Sequence, residues 1–299
     1  MRYTEEQLKK WTAPLSKTED DRAKNTIAMI RSAIDSSTEL KGIDIEVFLQ
    51  GSYANNTNIR GNSDVDVCVM CKSTFYYSLV EGLQASDYGI VPRSISFHDY
   101  KGRVLRAIKA KFGSDTVTVG NKSIKIKSNS YHVNADVVPA FMYKNYARIG
   151  SKNYNHFSEG IKLYAEDGHE VVNYPKIHIK NGINKNNETY HRYKNLVRIV
   201  KNIRADMADA KIIDGDKITS FLVECLVWNF NNAQINNFTT YTDLLERFIA
   251  IEWSQMEKNE HIEWGEVSEC LYLFRNRKWT DQDAKNFLLK MWEYLDYGD

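Results

Sequence analysis

Two aspartates stand one residue apart, Asp64 and Asp66, in the apolar run SDVDVCVM. Strand alternation sets Val65, Val67 and Val69 on one face and both aspartates on the other, about 7 Å apart at Cα. Carboxylates this close repel and raise each other's pKa unless a cation sits between them. A hard divalent ion such as Mg²⁺ resolves this, since it binds one or two carboxylates together with substrate phosphates. By itself the pattern fits an exposed strand face as well as a metal pair. The preceding stretch, LQGSYANNTN, adds Gly51 and Ser52 at the end of another apolar run. A glycine there lets backbone N–H groups approach a phosphate, a following helix start supplies oriented donors, and Ser52 adds a hydroxyl. A third acid, Asp136 in HVNADVVPAF, again interrupts an apolar strand pattern, with Asn134 on its face. A phosphate cradle beside three acids is a layout for phosphoryl transfer, with Asp136 as ligand or base.

Elements must position these groups. Ile27, Ile30 and Ile34, widened by Met29 and Ala33, predict a helix in the first forty residues, and Pro14 divides that region into two helical pieces. Strands are predicted over 43–50, 63–70 and 131–141, the last stopped by Pro139. Helices are predicted near 75–83 and 102–112, and a hairpin over 117–127 turning at Gly120-Asn121. From about Tyr190 the pattern is helical throughout, and Thr280 with Asp281 caps the last helix. The fold class is therefore α+β: a mixed sheet in the first half and an all-helical second half. Residues 1–165 are expected to form the catalytic core and 166–299 a lid segment and helical lobe.

Composition narrows the partners. Net charge is +1 over 299 residues, whereas a protein tracking a long nucleic acid carries a basic excess. The stretch Lys101–Lys127 holds eight basic residues and one acid, either a solvated face or a phosphate-facing wall. Cys68 and Cys71 form a single C-x-x-C inside an apolar run, weak as a zinc pattern. All four cysteines are expected as free thiols of a cytoplasmic protein. No run reaches the ~18 apolar residues of a membrane span.

GSYANNTNIRGNSDVDV together with VNADVVPAF resembles the G-S…D-x-D…D signature of polymerase-β-like nucleotidyltransferases. With WTAPLSKTEDDR, VVNYPKIHIKNGINKNN and TSFLVECLVWN, nearly the whole chain is similar to the bacterial cGAS/DncV-like nucleotidyltransferases of antiphage signalling, closest to their pyrimidine-using branch. The resemblance implies a nucleotidyltransferase core packed on a C-terminal helical lobe, with the active site in the cleft. It implies two Mg²⁺ ions, with Mn²⁺ able to substitute, held by Asp64, Asp66 and Asp136. A ribose hydroxyl would attack the α-phosphorus of a nucleoside triphosphate and release pyrophosphate, and a second such step would close a cyclic dinucleotide.

The resemblance further implies nucleotide contacts from Gly51 and Ser52, from Lys201 or Lys194 on one helix face with Arg198, and from Ser220. By the same resemblance, Asn173 stands where many relatives carry Ser and where members that use uridine triphosphate tend to carry Asn. An amide can pair with the O4 and N3–H edge of uracil; it also suits a turn before Tyr174-Pro175. Gln50 is a further candidate for the nucleobase. A monomer is expected, with a downstream effector reading the product. The alternatives are a purine-only synthase, an RNA-end or protein-modifying nucleotidyltransferase, and a non-catalytic nucleotide-sensing scaffold.

Overall fold

The computed structural model describes residues 1–14, 16–59, 64–92 and 95–298. In chain order its principal elements are α1 Glu5–Trp11, α2 Lys17–Asp35, β1 Ile45–Gln50, α3 Gly51–Asn55, β2 Val65–Ser78, α4 Phe97–Phe112, β3 Val117–Val119, β4 Ile124–Ile126 and β5 Ala135–Asn145. There follow β6 Ser158–Tyr164, β7 Glu170–Asn173, α5 Pro175–Glu188, α6 Arg192–Asp209, α7 Ser220–Asn229, α8 Asn232–Asn236, α9 Tyr241–Glu257 and α10 Asp281–Tyr294. They form two compact units. One comprises Leu15–Ala54 and Asn62–Ile177, the other Met1–Pro14, Asn55–Gly61 and His178–Asp299. The division is thus not a single cut near 165: β6 and β7 belong with the sheet, while α1 and a short strap after α3 belong with the helices.

In the sheet unit the strand order is β1-β2-β5-β4-β3, with β6 pairing β5 and β7 pairing β6. Among the described residues only β2 and β5 run parallel; the other pairs are antiparallel. Helices α2 and α4 cover one face, where Val65, Val67, Val69, Val137 and Ile124 meet Ile27, Ile30, Ile34, Val104 and Ile108. Helix α2 starts on a capping box from Ser16 and Glu19, which satisfies N–H groups that the helix itself cannot. Ala23 joins its buried stripe, while Met29 is only partly buried. A one-residue slip of β2 would take its three buried valines off this core, at about 1.5–3 kcal/mol each. The register is therefore firmly set, and with it the position of the aspartates.

Two expectations fail here. The segment 75–83 opens as strand, because β2 continues to Ser78 after an irregularity between Cys71 and Phe75; its β-branched and aromatic residues, STFYY, fit a strand. Nor does Pro139 end its strand. On the side of β5 away from β2, β4 pairs only as far as Val137 and β6 begins at Phe141. Pro139 lies in that gap, where no ladder N–H is required. The hairpin over 117–127 and the helix over 102–112 form. Ser63, at the start of the expected 63–70 strand, lies outside the described residues.

The helical unit has one continuous core built from Leu8, Leu196, Val200, Leu222, Leu226, Phe248, Phe287 and their neighbours. Helix α5, not foreseen as a helix, begins at Pro175, whose fixed φ suits a first helical turn. Thr280 and Asp283 form the capping box that opens α10. All four cysteines are thiols outside any disulfide; Cys68, Cys71 and Cys225 are buried and Cys270 is partly exposed. Cys68 and Cys71 pack into different clusters on opposite faces of the sheet, so they do not form a metal-binding pair. Among the described residues no helix is long and apolar enough to cross a membrane.

Candidate active site

The register gathers the predicted residues of the sheet unit into one row. Gln50 on β1 pairs with Asp66 on β2, Asp66 with Asp136 on β5, and Asp136 with Lys125 on β4. Cross-strand partners share a face and stand about 5 Å apart at Cα. Asp66 and Asp136 are therefore held side by side by backbone ladders. Asp64 precedes the strand and is exposed; the neighbouring Val65 N–H donates to the Asn134 carbonyl at 3.0 Å, which fixes the backbone beside it.

Gly51 explains the turn after β1. Its φ is +65°, and a Cβ added there would overlap the Asp66 carboxylate, with Cγ only 3.0 Å away. Only glycine permits both the left-handed backbone and this approach. Helix α3, which begins there, has five residues, so its dipole is slight; what the turn offers is backbone N–H groups and the Ser52 hydroxyl. Ser52 and Gln50 are half-buried.

Asp136 is half-buried, and burial pushes its carboxyl above the ordinary aspartate range. The Lys125 charge and a hydrogen bond from Ser123 pull it back, and the Asp64 charge pushes it up again. That Asp64 acts on Asp136 places both acids in electrostatic reach of each other. Among the described residues no three His, Cys, Asp or Glu side chains are gathered into a preformed metal cage. The donor chemistry nonetheless fits a hard divalent cation: carboxylate oxygens from adjacent strands, partly desolvated and mutually repelling. Asp64, Asp66 and Asp136 are the residues that would hold it.

Asn173 ends β7 and pairs with Ile161. Gly160 beside it has no room for a side chain, since a Cβ would lie 2.9 Å from the Asn173 carbonyl and 3.0 Å from the Tyr174 ring. Tyr174 is buried and its hydroxyl accepts from the Asn145 amide at 2.7 Å. Lys176 in the next turn forms ion pairs with Glu46 and Glu159, each at 2.7 Å. The backbone at Asn173 is thus clamped on both sides. Its half-buried side-chain amide has no hydrogen-bond partner among the described residues.

In the helical unit the basic face of α6 is not solvated. Lys194, Arg198 and Lys201 are all buried. Arg198 donates to the carbonyls of Thr12 at 2.8 Å and Asn56 at 2.5 Å. Lys201 donates to the Glu224 carboxylate at 2.6 Å and to the Thr57 hydroxyl at 3.1 Å. Glu224 also meets His178 Nε2 at 3.0 Å. Burial alone would raise the Glu224 carboxyl, but Lys201 and His178 outweigh it and hold the group well below the usual carboxylate range. The Lys194 ammonium has no partner among the described residues, and burial lowers its pKa. Of the two lysines, Lys194 is the one not already committed. Ser220 is exposed at the first turn of α7, whose cap is Thr219.

Sequence reasoning missed Glu224, Ser123 and Lys125. The signals were present: a lone acid in the otherwise apolar SFLVECLVWN, and a lysine in the alternating IKIK. As for the wider basic stretch, Lys101 pairs with Glu166, Arg103 with Asp99 and Arg106 with Glu39, while Lys125 stands beside Asp136.

Comparison with known proteins agrees with this geometry. Residues 4–160 match the Second Messenger Oligonucleotide or Dinucleotide Synthetase domain. Residues 180–296 match the cGAS/DncV-like nucleotidyltransferase C-terminal helical domain. A cyclic dipyrimidine nucleotide synthase of Cecembia lonarensis is 42% identical over 99% of both chains. The Rhodothermus marinus c-UMP-AMP synthase, solved with Apcpp and Upnpp, superposes with a TM-score of 0.86 at 30% identity, covering 99% of this chain and 98% of that one. The Elizabethkingia meningoseptica cyclic dinucleotide synthase, solved with GTP and Apcpp, gives 0.83 at 34% identity over 99% and 100%. By domain content, identity over its full length and architecture, the chain belongs to the cGAS/DncV-like nucleotidyltransferases, enzymes of a type that uses divalent metal ions.

Proposed function

We propose that the chain joins nucleoside triphosphates into a cyclic dinucleotide second messenger containing uridine, in bacterial antiphage signalling. The observation that carries the chemistry is the pairing of Asp66 with Asp136 on adjacent strands, with Gly51 against Asp66. Backbone N–H groups after Gly51 and the Ser52 hydroxyl bind the triphosphate; Lys194, Lys201 and Ser220 of the helical unit are the candidates to hold its tail. Lys201 would do so only by sharing its ammonium with Glu224. Asp64, Asp66 and Asp136 would hold Mg²⁺, or Mn²⁺ in its place. When bound, the metal neutralises charge on the phosphates and lowers the pKa of the attacking hydroxyl. Asp136 accepts that hydroxyl's proton as the oxygen attacks the α-phosphorus and pyrophosphate leaves. A second transfer closes the ring. The same reading has the enzyme act as a cytoplasmic monomer whose product is sensed by an effector.

The base preference rests on Asn173. Its amide is unpartnered while its backbone is clamped, so a donor and an acceptor are presented at low entropic cost. The Cecembia relative carries dipyrimidine in its name, which agrees. The Elizabethkingia structure holds GTP, so a purine-only product is the competing outcome.

Incubating the purified chain with four labelled nucleoside triphosphates and Mg²⁺ or Mn²⁺, then phosphatase, should leave a resistant, uridine-containing product. Failure to form any resistant product with either metal, or with candidate activators present, defeats the synthase reading. Asp64→Ala with Asp66→Ala should abolish the product while leaving the circular-dichroism spectrum intact. Asn173→Ser should move incorporation from uridine towards purine, and an unchanged base ratio removes Asn173 from base reading.

A further inference from the structure

We infer that Lys125 is a binding residue for the second, acceptor nucleotide, contacting its anionic phosphates from the β4 side of the carboxylate row. The inference rests on the nucleotidyl-transfer reading above and extends it to a residue that no motif marks.

The row has two distinguishable ends. Gln50 and the Gly51–Ser52 turn lie at the β1 end, then Asp66, Asp136 and Lys125 in strand order. Three strand spacings, about 14 Å at Cα, separate Gln50 from Lys125. The turn at the β1 end receives the donor's phosphates and hence the departing pyrophosphate. In-line displacement puts the attacking oxygen opposite the leaving one. The acceptor must then arrive from the far end of the row, past Asp136, and Lys125 is the side chain that meets it there.

The local structure supports a binding role over a packing one. Lys125 is exposed, and its ammonium has no hydrogen-bond or ion-pair partner among the described residues, unlike Lys101, Arg103 and Arg106 on the neighbouring helix. Its stem runs across the hairpin turn at Gly120, where an added Cβ would stand 3.1 Å from Lys125 Cε. The bare glycine leaves the lysine room to lie along the turn. Register pairing with Asp136 sets it on the carboxylate face. Among the described residues Lys125 makes no close ion pair, and its charge acts on Asp136 only at a distance; an exposed cation so placed, beside acids that would hold metal, is suited to a polyanion arriving with its own charge.

Calorimetric titration of the full chain with Upnpp and Apcpp in Mg²⁺ reads donor and acceptor binding without turnover. Lys125→Gln should weaken the acceptor event, identified as the one that Ser52→Ala leaves unchanged, about tenfold, the size of one charge-assisted hydrogen bond, and leave the donor event within about twofold; a loss confined to the donor event overturns the inference. Lys125→Arg should restore most of the loss. Two events unchanged in Lys125→Gln, or both weakened alike, overturn the inference. A wild-type chain that binds both nucleotides yet yields no cyclic product would defeat the synthase reading and leave this one standing.

Discussion

Gly51 shows how much a single residue can constrain a site. It combines φ of +65° with a position where an added Cβ would overlap the Asp66 carboxylate. Gly51→Ala would impose a left-handed conformation on a Cβ-bearing residue, at about 1–2 kcal/mol. It would also push the Asp66 carboxylate aside. A displacement of about 1 Å can cost on the order of a hundredfold in rate, so catalysis should suffer far more than stability. The expected outcome is a melting temperature lowered by a few degrees, as for about 1–2 kcal/mol, with turnover reduced about a hundredfold. Equal and small losses in both would show that the close approach is dispensable.

Among the elements, the buried cluster joining α5, α6 and α7 makes its own pH prediction. The ionised Glu224 carboxylate is held below its unfolded value of 4.5 by Lys201 and His178, against the burial that opposes them. A depressed carboxyl pKa contributes stability that is fully present above 4.5 and is lost as pH falls through the lower folded value. Glu224→Gln leaves Lys201 buried without its counter-charge, a loss of about 3–5 kcal/mol. Urea unfolding should show that loss at neutral pH, and a difference from wild type that narrows on acidification. A difference independent of pH would mean that Glu224 acts by packing alone. The same cluster marks the limit of what the sequence discloses. Asp66 and Asp136 interrupt apolar strands, which is costly, so the sequence points to them, and to Asp64 just ahead of β2 only through the company of Gly51, Ser52 and the third acid. The helical stripe of α6 was legible too, yet Lys201 reads there as a free cation, because the acid that captures it lies on another helix. Pro139 misled for a related reason: a local rule ends the strand, whereas the neighbouring strands happen to leave a gap at that position. Asn173 could be located by resemblance, but the clamp of Gly160, Tyr174 and Lys176 around it exists only in three dimensions.

At the scale of the molecule, chain order and folding units do not coincide. The first fourteen residues and the strap after α3 belong with the helical unit, and Leu8 sits fully buried in its core. Thr57 from the strap donates to Glu224 at 2.8 Å. Neither unit is therefore a continuous stretch, and native packing of the helices needs parts of the chain separated from them by more than a hundred residues. Each unit also carries buried free thiols, Cys68 and Cys71 in the sheet and Cys225 in the helices, while Cys270 alone is partly exposed. Burial raises the Cys68 and Cys225 thiols well above their ordinary values, which suppresses the reactive thiolate. The molecule consequently carries its own tamper seals: both cores keep their thiols closed to a maleimide while folded, and a different set is released according to which of them has been breached.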